Sequence, residues 1–460
     1  MTEFLPLEPS ARERRELGAT ALGFLDSFID GLSEAPAYPG MPDASILERL
    51  RARPGENPTQ LAALLDTLQI AAATGIDTSA GSHLSYIPNG GLFTAALGAL
   101  LGAGLNRYTG GSHGAPGAIV IEQSVVDWIL SLFDLGDAAG GLLLSGGSLA
   151  NFAAMVAARG RLGDDFSAGV VYTSERAHHS VAKAARLAGV APDRVRAMPA
   201  DASLRLDTTA LEVALRTDEQ AGLRPMAVVG SAGTTDTGTI DPLPVLAGLA
   251  HRHGAWFHVD AAYGGFFQLT ARGRDRLTGI DLADSVTLDA HKSLFMPYGI
   301  GCLLVRDRRA LIAAHEGRGA YMQDVQDLEA VPNYFAMGPE LTRPFRGLPV
   351  WMALHLHGVT AFRRELDRML DMAERAQREL DDIDGVETVT TPDLSIVAFR
   401  ATEGDDESKR LFDYVNASQL AHISSTTING RFVLRLAFLN HRTTDQTLDS
   451  VLHLLKRQHD

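Results

Sequence analysis

The sequence predicts an α/β protein whose sheet is covered by helices on both faces, and three observations carry that prediction. From about Leu142 to Val305, short apolar runs alternate with helical stretches. The runs are almost continuously apolar, as strands buried on both sides must be. The chemically unusual residues gather where those runs give out, which is the edge where open α/β sheets bind ligands.

In chain order, residues 1–80 read as proline-punctuated helices (ALGFLDSFIDGL, then AYPGMP, then QLAALLDTL). Gly90 to Leu105 is apolar but stops short of the ~18 residues of a membrane span. Gly98 and Gly102 lie about one turn apart, so this helix is expected to pack tightly against another element. The central block supplies strands in GLLLS, AGVVYTS, MAVVGSA, AWFHVDAA, SVTLDA and GCLLVRD. Helices SLANFAAMVAARGRL, HHSVAKAARLAG and DPLPVLAGLAHRHG fall between them. VWMALHLHGVTAFRRELDRMLDMAERAQREL then reads as one long helix, followed by strand-like SIVAFRAT and FVLRLAFLN and a closing helix, TDQTLDSVLHLLKRQ. The expected division is a helical segment over 1–80, a large α/β domain over 81–350 and a small α+β domain over 351–460.

Of 460 residues, 41 are Lys or Arg and 56 Asp or Glu, a net charge of 41 − 56 = −15 that argues against nucleic acid as a partner. A hydrophobic fraction of 45% and a charged fraction of 21% fit a globular protein with a sizeable core. Cys302 is the only cysteine, too few for an intrachain disulfide or a thiolate metal cage, and no metal site is expected. The opening residues are too charged and proline-broken for a signal peptide, so the cytoplasm is the expected location.

Four strand-end loops hold the candidate chemistry. Ser145-Gly146-Gly147-Ser148 opens a helix with backbone N–H groups free to turn toward an anion such as phosphate. Alone it reads as a plain N-cap turn, and Gly146-Gly147-Ser148-Leu149-Ala150 also lies close to a hydrolase nucleophile elbow with Ser148 as nucleophile. Ser174 to Ser180 carries His178 at a helix start, placed to stack on a planar ligand or to shuttle a proton. His258-Val259-Asp260-Ala261-Ala262 delivers a carboxylate followed by residues too small to obstruct a ligand, although a lone acid there is more often a helix cap. Asp289-Ala290-His291-Lys292-Ser293 ends an apolar strand with a lysine whose pKa burial should lower, leaving an amine able to form a Schiff base. The four together match the protein's part of a pyridoxal-phosphate site, whereas a Ser148 hydrolase would leave Asp260 and Lys292 unexplained.

HVDAAYGG, DAHKS, the order Ser-Gly-Gly-Ser, Ala-His-His-Ser, Gly-Thr-Thr, Asp, Lys, and LTRPFRGLPVWMALHLHG resemble the group II pyridoxal-phosphate-dependent amino-acid decarboxylases over nearly the whole chain. The resemblance implies a fold type I, aspartate-aminotransferase-like large domain, pyridoxal 5'-phosphate as cofactor, an amino-acid substrate and a homodimer. It implies that Lys292 carries the cofactor, that Asp260 meets the pyridinium nitrogen, and that His178 and Ala262 pack on the two ring faces. Gly147, Ser148 and His291 would hold the phosphate and Thr235 would sit near the ring. Counting back from Arg343-Pro344-Phe345-Arg346 places the family's loop tyrosine, which protonates the product carbanion, at Tyr334. Asp289 and Ser293 depart from the residues many members carry. Tyr86, Pro88 and Phe93 are the expected side-chain pocket, suited to an aromatic guest. Aldehyde-forming decarboxylation, transamination and other fold type I chemistry stay open as alternatives. His355 and His357, two apart on a helix, diverge by roughly 200° and cannot share a metal. His251 and His253 read as solvated helix-end residues.

Overall fold

The computed structural model describes residues 7–87, 90–317, 319, 328 and 330–457. Five helices lead: α1 (Ala11–Asp30), α2 (Ala44–Leu50), α3 (Leu61–Ala72), α4 (Phe93–Leu105) and α5 (Pro116–Leu130). Local capping starts the first two. Ser10 and Glu13 form a reciprocal capping box on α1, and Asp43 accepts from the N–H groups of Ser45 and Ile46 on α2. None of α1, α2 or α3 fully buries a residue.

The central block runs β1 (Gly140–Leu144), α6 (Gly147–Gly160), β2 (Gly169–Ser174), α7 (His179–Leu187), β3 (Val195–Met198), α8 (Thr208–Gln220), β4 (Arg224–Ser231), α9 (Leu243–Arg252), β5 (Trp256–Asp260), α10 (Ala271–Arg276), β6 (Ser285–Asp289), α11 (Ala290–Ser293), β7 (Gly301–Val305) and α12 (Arg308–His315). Its seven-stranded sheet has the order β1-β7-β6-β5-β4-β2-β3. β7 pairs antiparallel with both β1 and β6, while the remaining pairings are parallel. Successive strand residues feed opposite cores: Leu142 and Leu144 join Ala153, Val181 and Leu311 on one face, and Leu143 joins Val126, Leu211 and Leu246 on the other. Both faces being covered is the reason these strands read as unbroken apolar text. β3 is not among the strands the sequence predicts, because this edge strand carries Arg196, is only partly buried and gives no apolar run.

After the block come α13 (Gly347–His357), α14 (Val359–Asp381), β8 (Val386–Thr388), β9 (Ile396–Ala401), α15 (Asp405–Ala417), β10 (Ser424–Ile428), β11 (Arg431–Ala437) and α16 (Asp445–Arg457). The expected single long helix is two, because Gly358 takes φ 73° and ψ 148°, a conformation that glycine reaches without strain and a helix cannot contain. The antiparallel sheet β10-β11-β9-β8 packs under α14, α15 and α16 through Leu380, Leu411, Leu434 and Leu452. Residues 82–84 attach to this small sheet: Leu84 N–H donates to His422 O, His422 N–H to Ser82 O and Ala437 N–H to Leu84 O, each at 2.9 Å.

The tight packing expected of α4 is present. A Cβ on Gly98 would lie 2.8 Å from Pro349 Cα on α13. His357 also bonds Thr94 on α4, and His355 bonds the Trp351 carbonyl, so each has its own partner. His251 is half exposed, but His253 is not the solvated residue expected: it is largely covered, with Nδ1 2.9 Å from Glu219 Oε2. Among the described residues no helix is long and apolar enough to cross a membrane.

Candidate active site

Because β1, β2, β4, β5 and β6 run the same way, their C-terminal ends open on one edge of the sheet. There they line a cavity of about 310 Å³ bounded by Gly146, Ser148, His178, Thr235, Asp260 and Lys292, together with Gly147, Ala262, Asp289 and His291. All four predicted loops therefore meet.

The β1 loop passes into α6 with no side-chain cap at Gly146, and the Leu149 and Ala150 N–H groups return to the Gly146 carbonyl. The Gly147 and Ser148 N–H groups, which precede those bonds, lie at the positive end of the helix dipole. Close approach requires glycine here. A Cβ on Gly147 would lie 3.0 Å from both Ala262 Cβ and Asp289 Oδ2, and one on Gly301 would lie 2.5 Å from Gly146 Cα. His291 Nδ1 bonds the Ile300 carbonyl at 3.0 Å, leaving Nε2 turned toward Asp289, and burial pushes this ring's pKa down.

Asp260 ends β5 nearly buried. Its Oδ2 accepts from Asn151 Nδ2 at 2.9 Å and its Oδ1 from the Ala262 N–H at 3.2 Å. His178 caps α7, with Nδ1 2.7 Å from Ser180 Oγ and accepting the Ser180 N–H at 3.3 Å. Burial holds His178 below the ordinary imidazole range, with the nearby Asp260 charge opposing.

Lys292 does not sit in the apolar setting expected of it. Its Nζ lies 2.9 Å from Asp289 Oδ2, and 26% of its side chain is exposed. Asp289 is 2% exposed and its Oδ1 has no hydrogen-bond partner among the described residues, an unsatisfied acceptor beside the Gly146–Gly147 turn. The Ser293 hydroxyl donates to the Tyr263 carbonyl, and Tyr263 in turn bonds Ser395, the residue before β9. This departure therefore fastens the lysine-bearing turn.

Tyr334 is a correction. It is 2% exposed, packed with Arg343 4.8 Å from its ring centre, and burial drives its phenol pKa strongly upward. It lines a separate cleft with Gln123, Asp127 and Arg308 and is absent from the Lys292 cavity. The preceding segment 316–333 carries one other tyrosine, Tyr321, outside the described residues. Tyr86 and Phe93 do not line the cavity of this chain, Tyr86 being 57% exposed, and Pro88 lies outside the described residues.

Sequence reasoning missed Asn151, Ser180 and the buried His258. Only the helical text around Asn151 offered a signal, since a polar residue among SLANFAAM needs a buried partner. The donor set fits a phosphorylated pyridine aldehyde: a lysine, a carboxylate held on its inner side, a ring at a helix start and an uncapped helix N-terminus around one cavity.

The pyridoxal-dependent decarboxylase conserved domain matches residues 46–402. An aromatic-L-amino-acid decarboxylase of Bacillus atrophaeus is 31% identical, aligned over 98% of this chain and 96% of its own. The L-2,4-diaminobutyrate decarboxylase of Rhizobium meliloti (strain 1021) is 35% identical over 74% of this chain and 70% of its own. Among solved structures, Oryza sativa TDC with PLP and tryptamine superposes with a TM-score of 0.92 at 25% identity, covering 100% of both chains.

Proposed function

The chain belongs to the pyridoxal-dependent decarboxylase family, and on that premise we propose that it removes CO2 from an aromatic L-amino acid to leave the amine. The observation that carries the reading is the convergence of Lys292, Asp260 and His178 on one cavity. The aromatic class rests on the full-length likeness to the Bacillus atrophaeus enzyme.

In this proposal Lys292 bonds the cofactor through its ε-nitrogen, and Asp260 accepts a hydrogen bond from the pyridine nitrogen. His178 and Ala262 hold the ring between them, Thr235 lies at its edge, and the Gly147 turn, Ser148 and His291 take the phosphate. Bound pyridoxal phosphate supplies the electron sink into which the carboxylate bond breaks. The remaining chemistry is the protein's: Asp260, kept an acceptor by Asn151, favours a protonated ring nitrogen, and the two ring-packing residues keep water from its faces. Exposed leucines on α1, α3 and α4 support a homodimer.

Borohydride reduction followed by peptide mapping tests the site. The pyridoxyl group is expected on Lys292, and Lys292→Ala is expected to lose it. A label on another lysine sinks the assignment. A panel of amino acids scored for CO2 and amine tests the substrate: faster turnover of 2,4-diaminobutyrate than of tryptophan, tyrosine or phenylalanine would overturn the aromatic class.

A further inference from the structure

Beneath the cavity runs a chain of hydrogen bonds whose direction can be read from its members. Trp256 Nε1–H donates to Ser285 Oγ at 2.7 Å, and Ser285 Oγ lies 2.8 Å from His258 Nδ1. His258 Nε2 lies 3.0 Å from Asn151 Oδ1. The Asn151 amide donates to Asp260 Oδ2 at 2.9 Å and to Ser180 Oγ at 3.0 Å, and Ser180 Oγ reaches His178 Nδ1 at 2.7 Å. From Trp256 to Ser180 every member is buried.

A carboxylate only accepts, so Asn151 must turn its NH2 to Asp260 and its oxygen to His258. His258 then needs a proton on Nε2. Burial pushes its pKa down to about 4, so near neutral pH it carries that proton alone and its Nδ1 is a bare acceptor. Ser285 must therefore donate to His258 and accept from elsewhere, and Trp256, which can only donate, satisfies it. The far end agrees with the near end. On the other branch, Ser180 accepts from Asn151 and so has its own O–H free for His178. Nδ1 of His178 thus faces two donors, the Ser180 hydroxyl and backbone N–H.

We propose that Asn151 is a positioning residue that holds Asp260 as an acceptor and, through Ser180, holds His178 with its proton on Nε2. His178 then presents a hydrogen-bond donor to the cavity and has no free lone pair with which to act as a base. The proposal rests on the reading that this cavity takes the cofactor, but the tautomer does not depend on the cofactor being bound.

Nitrogen-15 NMR of histidine-labelled protein, with and without pyridoxal phosphate, reads the tautomer, and His178→Gln identifies the signal. The neutral Nε2–H form is expected in both states between pH 7 and 9. Asn151→Asp, of equal size, replaces a donor by an acceptor. It is expected to raise the cofactor dissociation constant roughly tenfold or more and to move the His178 Nδ1 signal as the Ser180 hydroxyl turns to the new carboxylate. Ser180→Ala spares the bond to Asp260, so the dissociation constant should stay within about twofold while the His178 Nδ1 signal moves. A wild-type His178 protonated on Nδ1, or Asn151→Asp binding cofactor as tightly as wild type, overturns the proposal. Should Asn151→Asp fail to fold, the wild-type tautomer and Ser180→Ala still decide. No reducible adduct on wild-type Lys292 would instead reject the cofactor site while leaving the tautomer result standing.

Discussion

Lys292 and Asp289 face each other across 2.9 Å, and that pair must be surrendered when the lysine nitrogen bonds the cofactor. The other Asp289 oxygen has no hydrogen-bond partner among the described residues and lies at the turn assigned to the phosphate. Asp289→Asn removes the competing charge and adds an N–H donor, so cofactor should bind more tightly, by about 1 kcal/mol or roughly fivefold. Absorbance titration of cofactor-free protein measures it, and weaker binding by the variant would show that the carboxylate is needed. At Tyr334 the expectation is indifference. Tyr334→Phe keeps the ring against Arg343, and Tyr334 lines a cleft separate from the Lys292 cavity, so product and rate should match wild type within about twofold. Tyr321→Phe is the informative partner: with Tyr321 as the proton donor, the variant should divert product from amine to aldehyde with oxygen uptake, because a phenol can deliver the proton and a phenyl ring cannot. Amine and aldehyde quantified side by side separate the two. Of the site residues, those on strand-end loops were legible because each loop carries its own chemistry. The burial of Tyr334 was not legible, because a one-dimensional count from Arg343 records neither depth nor which cavity a side chain lines.

At the scale of the element, α4 has two faces with different fates. Gly98 presses against Pro349 of α13, where a single added carbon would meet backbone. Leu100, Leu101 and Leu105 are 58%, 46% and 60% exposed on a helix without a single charged residue. Leucines left in water at this density point to a covering subunit. Replacing Leu101 and Leu105 together by Glu should convert a dimer to a monomer, read by light scattering, without lowering the stability of the α4–α13 contact. A wild-type protein that is already monomeric at micromolar concentration would remove the premise. The apolar composition of this helix was plain in the sequence. Which side meets α13 was not, since glycine marks close approach without naming the partner.

At the scale of the whole molecule, several histidines are buried and neutral. Burial lowers His83 and His258 to about 4 and His441 to about 3, from 6.5 for an unperturbed imidazole. Each folded value lies below the unfolded one, so the unfolded chain binds more protons between about pH 6.5 and 4. Stability should be full at pH 7 to 8 and fall as pH drops through that window, by several kcal/mol in total. Thermal melts at half-unit steps test this, and a melting temperature unchanged between pH 7 and 5 would contradict it. His83 couples the N-terminal part to the chain around the small sheet, its ring stacked 6.3 Å from His422, which in turn stacks 5.0 Å from Tyr38. Acid should therefore loosen the junction that residues 82–84 make with the small sheet.

The sequence by itself determined the helix-covered sheet, the order of its site loops and the identities of Lys292, Asp260 and His178 as candidates. These are properties of contiguous text: a strand buried on both faces must be apolar throughout, and its end must hold what the ligand needs. Tertiary structure alone decided the antiparallel β7, the attachment of residues 82–84 to the small sheet, the Lys292–Asp289 pair and the burial of Tyr334. It alone joined Trp256, Ser285, His258 and Asn151 to Asp260 and His178. Asn151 and Asp260 are 109 positions apart, and a hydrogen bond depends on distance and donor direction in space, neither of which a sequence records.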